Sequence, residues 1–526
     1  MQRRAVLQSA LVGAAVLTAP NLLRAQGKNV LRFIPQADLA SLDPIWTTAD
    51  VTRNYAHAVH DTLWGIDAKF NPQLQMLAGA TTSSDALTWE LTLRDGLKFH
   101  DGTPVLARDC VATIKRFVSR DQLGTALAAR MDDISAPTDK TIRIRLKKPF
   151  ALLPVALGQY ACGIMPERLA KVDAFTQVTE PTGCGPFRFK ADERVPGAKV
   201  VFEKFSGYVP RADGVPSFAA GPKTVHFDRV EWTILPDAGT AQSALLNNEF
   251  DWWENPPIDQ VPPLRKDKRL TVKVNDLTGA IGILRFNHLL PPFNNVAIRK
   301  VVLAAMHQQD IMQAVAGAEP ALIKAPVGLF VPGTQYASDV GLIEQTTKWK
   351  DQAKLKADLT AAGYNGEKIV VMGAANFPII FAEAQVAADT LRRIGFNVDF
   401  QAIEWGTVVQ RRASKEPIDK GGWNIFFTYG GGTSNISPAT MTAGRGSGDK
   451  AWFGWPTSAK MEALRDAWFE APDLVSQQKL AADMQAEMWE FVPYVPLGMF
   501  DQPTAYFSYL QGVREGYPQF YGVQRV

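Results

Sequence analysis

An α/β protein of several domains is the fold class that this sequence predicts, on three observations. The chain has 526 residues, too long for one ordinary core at about 150 residues per domain. It twice runs helix, glycine, strand, in "AKLKADLTAAGYNGEKIVVM" and "FAEAQVAADTLRRIGFNVDF", and such alternation builds a sheet covered by helices. Hydrophobic residues make up 46%, with 28 Phe and 13 Trp, against 21% charged. Cores can therefore be buried, and bulk disorder is excluded.

The first element is "MQRRAVLQSALVGAAVLTAPNLLRAQGK". Paired Arg3 and Arg4 precede an apolar stretch broken by Gln8, Ser9, Thr18 and Pro20 and ending at the small Ala25. A membrane anchor needs about 20 uninterrupted apolar residues, so residues 1–25 are read as an export signal. The arginine pair with Leu7 gives it a twin-arginine layout, from which Gln2 and Gln8 depart. No cysteine precedes Cys110, so no thiol lies near the cleavage site to carry a lipid, and the expected address is the periplasm without a lipid anchor. Loss of Arg3, Arg4 and Arg24 with the signal leaves a formally neutral chain, and a nucleic-acid partner is not expected. Cys110, Cys162 and Cys184 allow at most one internal bridge. Cys162 with Cys184 is the nearest pairing, and free buried thiols are the open alternative.

Next, "TWELTLRDGLKFHDGTPVLARD" collects Asp95, His100, Asp101 and Asp109 in one short stretch, as a catalytic or metal site would. Trp89, Leu91 and Leu93 alternate with polar residues, which reads as a strand. Asp95-Gly96 and Asp101-Gly102 read as turns, and "LKFH" between them as a short second strand. Thr103-Pro104 has the layout of a helix cap with proline at the first position. Cys110, Val111, Ile114, Phe117 and Val118 then recur at helical spacing. Turn geometry thus accounts for Asp95 and Asp101, and an exposed first helical turn for Asp109. The cluster reads as architecture.

Proline pairs at 256–257, 262–263 and 291–292 mark stiff connections and a domain border near residue 285. In the two α/β units that follow, Gly363 and Gly395 stand where helices close, Ala384, Ala387, Ala388, Leu391 and Ile394 form one apolar face, and strands begin at about Ile369 and Phe396.

Taken in order, "SLDPIWTTAD", "VHDTLW", the "FHDGTP" stretch, "PTGCGPFRF", "FNHLLPPFNNVAIRKVVLAAMHQQDIM", "AGY" and "VPYVPL" resemble the extracellular solute-binding proteins of family 5, the dipeptide, oligopeptide and nickel group that serves ABC importers. The resemblance covers residues 28 to 515. It implies a two-lobed periplasmic-binding-protein clamshell (type II, cluster C-like) with an extra subdomain inserted in lobe I. Lobe I would comprise 28–60, 180–284 and 490–526, the insert 61–179, and lobe II 285–489. It further implies a monomer that captures a peptide or peptide-like small solute between the lobes, without cofactor or catalysis, and passes it to an inner-membrane ABC permease with its ATPase. A clamshell sensor or adaptor is the alternative. A secreted hydrolase is the more remote one, since there is no G-x-S-x-G or H-E-x-x-H and the S-x-x-K at Ser476 lacks a K-T-G partner.

Expected ligand-binding residues follow from that cleft. "WNIFFTYGGGTSN" offers Tyr429, then Gly430, Gly431 and Gly432, whose lack of side chains lets a ligand approach backbone amides, then Thr433. "FDWWENPP" is a segment that members of the family run along the cleft wall; its adjacent tryptophans on a strand face opposite ways, so one is core and the other a candidate, and Trp253 is taken as the candidate with Glu254. Trp405, and Trp46 with Thr47, are further candidates. Peptide-binding members usually carry an aspartate for the ligand's α-ammonium in the region matching 423–450, and this chain has no acid there before Asp449. Arg445 is instead the expected anchor for an anionic group. His57-x-x-His60 has helical spacing, but scattered histidines without a cysteine cluster do not make a metal site.

Overall fold

The computed structural model describes residues 29–526 except 277, 318, 348–350 and 472; the expected export signal lies outside the described residues. Three principal sheets organise the chain. The first has seven strands in spatial order 270–274, 503–507, 252–253, 30–34, 229–233, 199–204 and 187–189. Its central strand, Val30–Ile34, runs parallel to both neighbours. Phe33, Trp232, Trp252 and Phe520 pack their rings on one face of it at centroid distances of 5.0 to 6.0 Å, and Trp253 fills a separate core on the other face with Ile34, Leu245 and Leu264.

The second sheet has six strands in the order 323–324, 494–500, 280–286, 425–431, 368–374 and 397–403. The two helix–glycine–strand units supply its parallel part. Lys368–Ala374 pairs with Asn397–Ile403 through the crossover helix Pro378–Arg393, whose Ala384, Ala387, Ala388 and Leu391 are buried as the periodicity predicts. A third, four-stranded antiparallel sheet, in the order 77–82, 88–93, 141–146 and 131–135, forms the inserted subdomain.

The chain passes between the first two sheets at residues 275–279 and returns at 501–502. Strand Ala280–Phe286 spans the border expected at 284/285, and strand Tyr494–Phe500 lies beyond the one expected at 489/490. Both pair within the second sheet, so sheet membership moves each border to these crossings. The crossings touch: Gly279 has φ +62°, and a Cβ there would meet Met499 and Asp501 within 3 Å. Only glycine fits a left-handed position against a neighbouring backbone.

The aspartate- and histidine-rich stretch is architectural, with three corrections. Thr88–Leu93 is a strand burying Leu91 and Leu93, and Gly96 and Gly102 take φ +80° and +89° in their turns. "LKFH" makes only an isolated bridge, Lys98 to Pro104. The helix starts at Ala107 rather than at Pro104, because Thr103 is held in the turn by two hydrogen bonds to Asp101 Oδ1. Asp109 is buried, not exposed: it accepts hydrogen bonds from the N–H groups of Leu106 and Glu167. His100 joins the subdomain to lobe I, its Nε2 bonded to Gly185 O at 3.0 Å and its Nδ1 to Gly183 N at 3.3 Å. All three cysteines are free and buried, which resolves the open pairing in favour of thiols.

Candidate functional site

Between the first two sheets lies a cavity of about 1640 Å³, its mouth included. Three units build its walls. Helix Asp50–Val59 and Tyr517 contribute from lobe I, Asp121 to Leu123 and Tyr160 from the subdomain, and Phe377, Trp405, Arg412, Thr428 to Gly431 and Trp452 from lobe II. A smaller cavity of about 600 Å³, its mouth included, adjoins it, sharing Gln36, Arg53, Tyr429 and Tyr517, and reaches Glu254 and Trp252. Mixed aromatic and polar walls of this kind suit a small organic solute.

Contacts across and beside the cavity join the units. Tyr429 OH, on a lobe II strand, donates to Gln36 Oε1 of lobe I at 2.6 Å. Arg445 Nη1 donates to Gln122 Oε1 of the subdomain at 2.9 Å, and Arg412 Nη2 reaches Thr47 Oγ1 at 3.4 Å. The Phe150 and Phe469 rings meet 5.6 Å apart between subdomain and lobe II.

Of the residues expected at the site, Trp405, Tyr429, Gly430 and Gly431 line the main cavity. Trp405 sets its ring edge-on to Phe377 at 5.7 Å. Glu254 lines the side cavity; its carboxylate accepts from Gln36 N at 2.8 Å and from Asn54 Nδ2 at 2.6 Å, and burial pushes its pKa up to about 7.

Five expectations differ in placement. Trp253 lies in the far core of the first sheet, and Trp252 is the indole beside the side cavity: both faces of this sheet are covered, so alternation could not tell which one meets the cleft. Trp46 lies outside the wall with Arg120 stacked on it at 4.3 Å. Thr47 stands behind the wall, its Oγ1 accepting from the N–H of Ala49 at 3.2 Å and lying 3.4 Å from Arg412 Nη2. Gly432 offers no amide to the cavity; its N–H bonds to Gly279 O, and a Cβ would strike Thr278 at 2.2 Å, so it serves the crossing. Arg445 is not a free anion anchor, since its guanidinium makes a bidentate pair with Glu462 at 2.6 to 3.0 Å. The Thr433 side chain lies outside the described residues.

Sequence reasoning missed several wall residues. Arg53 pairs with Asp50 at 2.9 Å and lies 4.3 Å over the Tyr517 ring. His57 stacks on Tyr517 at 4.7 Å and shares a 2.6 Å hydrogen bond with its hydroxyl; burial, aided by Lys223 and Arg53, keeps the imidazole neutral. Arg412 follows Trp405 by seven residues and turns inward at the end of helix Trp405–Arg411. Among the described residues no three His, Cys, Asp or Glu side chains gather as metal ligands, and no helix is long and apolar enough to cross a membrane.

Known proteins share this architecture. A chain of Sinorhizobium fredii named as a probable peptide ABC transporter periplasmic-binding protein is 36% identical over 523 residues, covering 98% of this chain and 97% of its own. The glutathione-binding protein GsiB of Salmonella paratyphi A is 24% identical, covering 96% and 94%. Among solved structures, the periplasmic binding protein AgaA of A. tumefaciens R10 with agropinic acid superposes with a TM-score of 0.80 at 20% identity, over 94% of this chain and 99% of that one. DppA of Helicobacter pylori with the peptide STSA gives 0.78 at 21%, over 94% and 98%. The profile of the bacterial extracellular solute-binding proteins, family 5, matches residues 71–452. With that match covering most of the subdomain, the middle segment of lobe I and most of lobe II, the chain belongs to the bacterial extracellular solute-binding proteins of family 5.

Proposed function

We propose that the chain is exported by a twin-arginine signal and acts in the periplasm as the capture subunit of an ABC importer, taking a peptide or peptide-like solute into the interlobe cavity. The observation that carries this reading is a cavity walled from both lobes and spanned by bonds such as Tyr429 to Gln36. A solute that touches both walls only when they are shut stabilises the shut form by its differential affinity, and the permease then meets a ligand-dependent shape. No bond in the solute need be made or broken. Trp405, Tyr429, Gly430 and Gly431 form the contact surface, with Glu254 behind it.

The test is a thermal-melt screen of residues 26–526 with free and N-acetylated di- and tripeptides, aromatic acids, opine-type conjugates and Ni²⁺. A solute at 100 times its dissociation constant adds about 2.7 kcal/mol to stability and should raise the melting temperature. No response to any organic solute, or turnover of one, would overturn the reading.

A further inference from the structure

The inserted subdomain is fastened to lobe I and leans on lobe II. The chain enters it after strand Val30–Ile34 and leaves it before strand Phe187–Phe189, both in the first sheet. Two buried ion pairs tie it there, Arg116 with Asp43 at 2.8 Å and Lys223 with Asp61 at 2.8 Å, and Tyr208 OH donates to the same Asp61 at 2.8 Å. Separating either pair would strand a buried charge, so the subdomain moves with lobe I. The chain passes between the first two sheets at residues 275–279 and 501–502, and a rotation of the lobes about those crossings parts the subdomain from lobe II.

The seam that would part is built from rings and charges. The Phe150 ring of the subdomain meets Phe469 of the lobe II helix Ala459–Glu470 at 5.6 Å. Two cations lie over that Phe469 ring, Arg130 of the subdomain at 4.8 Å and Arg465 of lobe II at 4.7 Å. Phe150, Arg130 and Arg465 are buried, whereas Lys148 and Glu470, paired at 2.8 Å, are both more than half exposed. Gln122 continues the seam, accepting from Arg445 Nη1 at 2.9 Å and donating to Lys450 O at 3.3 Å. Of these residues Gln122 alone lines the main cavity. A buried aromatic centre with a charged rim is the anatomy of a protein interface, and interfaces between domains of one chain resemble those that form and part.

We propose that this seam is a closure latch: Phe150, Arg130 and Lys148 on the subdomain engage Phe469 and Glu470 when the lobes shut, hold part of the ligand-free protein shut, and so set solute affinity from outside the binding cavity. The part concerning affinity rests on the capture reading above. A contact made only in the shut form multiplies the closing equilibrium constant, and the apparent dissociation constant falls as the shut fraction rises. The gain does not depend on the chemistry of the solute, which separates it from the selectivity of the cavity. The subdomain thereby acts as an outer jaw of the clamshell.

Two measurements test this. The first reads the ligand-free protein by pulsed electron–electron resonance between spin labels at Asp133→Cys of the subdomain and Ala463→Cys of lobe II, both exposed positions; the three native thiols are buried and stay unlabelled. The wild-type background should show a short, shut distance beside a longer one. Phe469→Ala should lower the ratio of shut to open about two- to twelvefold, and Glu470→Arg, a change on the exposed rim that leaves the lobe folded, about two- to fivefold. Distance distributions unchanged by both variants would overturn the latch. The second is calorimetry with the solute that the melt screen identifies: F469A and E470R should bind it more weakly by those same factors, and wild-type affinity in both would overturn the proposal. Failure of every solute to bind the wild type would count against capture itself, and the label distances, read without solute, then decide the latch alone.

Discussion

Glu254 → Gln should make the protein more stable in alkali and leave it little changed in acid. The carboxyl is 2% exposed and its pKa is raised by burial from 4.5 to about 7, against the opposing pull of the Gln36 N–H and the Asn54 amide. In the unfolded chain it titrates near its ordinary value. Below about pH 4.5 both states hold the proton and nothing is lost. Between pH 4.5 and 7 the unfolded chain has released its proton and the folded protein has not, so stability falls by about 1.36 kcal/mol per pH unit. Above pH 7 the loss levels off at about 3 kcal/mol. Glutamine removes this cost and keeps the packing. Its carbonyl can accept from Gln36 N, and its amide can donate to Asn54 Oδ1, which has no partner in the wild type, once the Asn54 amide turns over. Urea unfolding of both proteins, followed by tryptophan fluorescence at half-unit steps from pH 5 to 8.5, isolates the effect, because other titrating groups cancel in the difference. The difference should grow with pH and reach about 3 kcal/mol in favour of E254Q at pH 8. A difference that stays constant across this range would refute the reasoning.

Tyr429→Phe removes the hydroxyl that bonds Gln36 but keeps the ring edge-on to Phe377 and Phe500. Gln36 Oε1 still accepts from Asn255, so the loss is about 0.5 to 1.5 kcal/mol of closure. The solute found by the melt screen should bind about two- to twelvefold more weakly, and unchanged affinity by calorimetry would show that this bond does not bias the lobes. Arg116→Met strands Asp43, whose side chain is fully buried and receives two bonds from that guanidinium at 2.8 and 3.0 Å. A cost of about 3 to 5 kcal/mol is expected in urea unfolding, and Asp43→Asn added to R116M should recover part of it; additive losses would mean that the two groups do not interact.

Features set by neighbours in the chain were legible in the sequence. The Asp-Gly turns, the strand at Thr88–Leu93 and the glycine-terminated helices depend on dihedral preference and hydrophobic period, which are local. Helix starts were less legible: Thr103 had two uses open to it, and the turn around Asp101 claimed it before a cap could. The ordered segments of the family resemblance reached further, to the lobes and the insert, because they record an architecture rather than a local preference.

The site was legible only where one continuous segment makes it. "TYGG" lines the cavity because strand Ile425–Gly431 ends there. The two arginines show the limit. Arg445 sits in the glycine-rich "AGRGSGD" and Arg412 at the end of "WGTVVQRR", and neither stretch says anything of the partners that folding brings. Folding brings Glu462 to Arg445 from seventeen residues away and brings rings, but no acid, to Arg412. By itself the sequence determined the α/β class, the turns, the core faces of the helices and the segment that ends at the cleft, since each follows from spacing along one stretch of chain. Only the tertiary structure decided where the chain crosses between sheets, which tryptophan meets the cavity and which buried arginine is left with few hydrogen-bond partners, because pairing and burial depend on groups from seventeen to hundreds of residues apart that share no local signal.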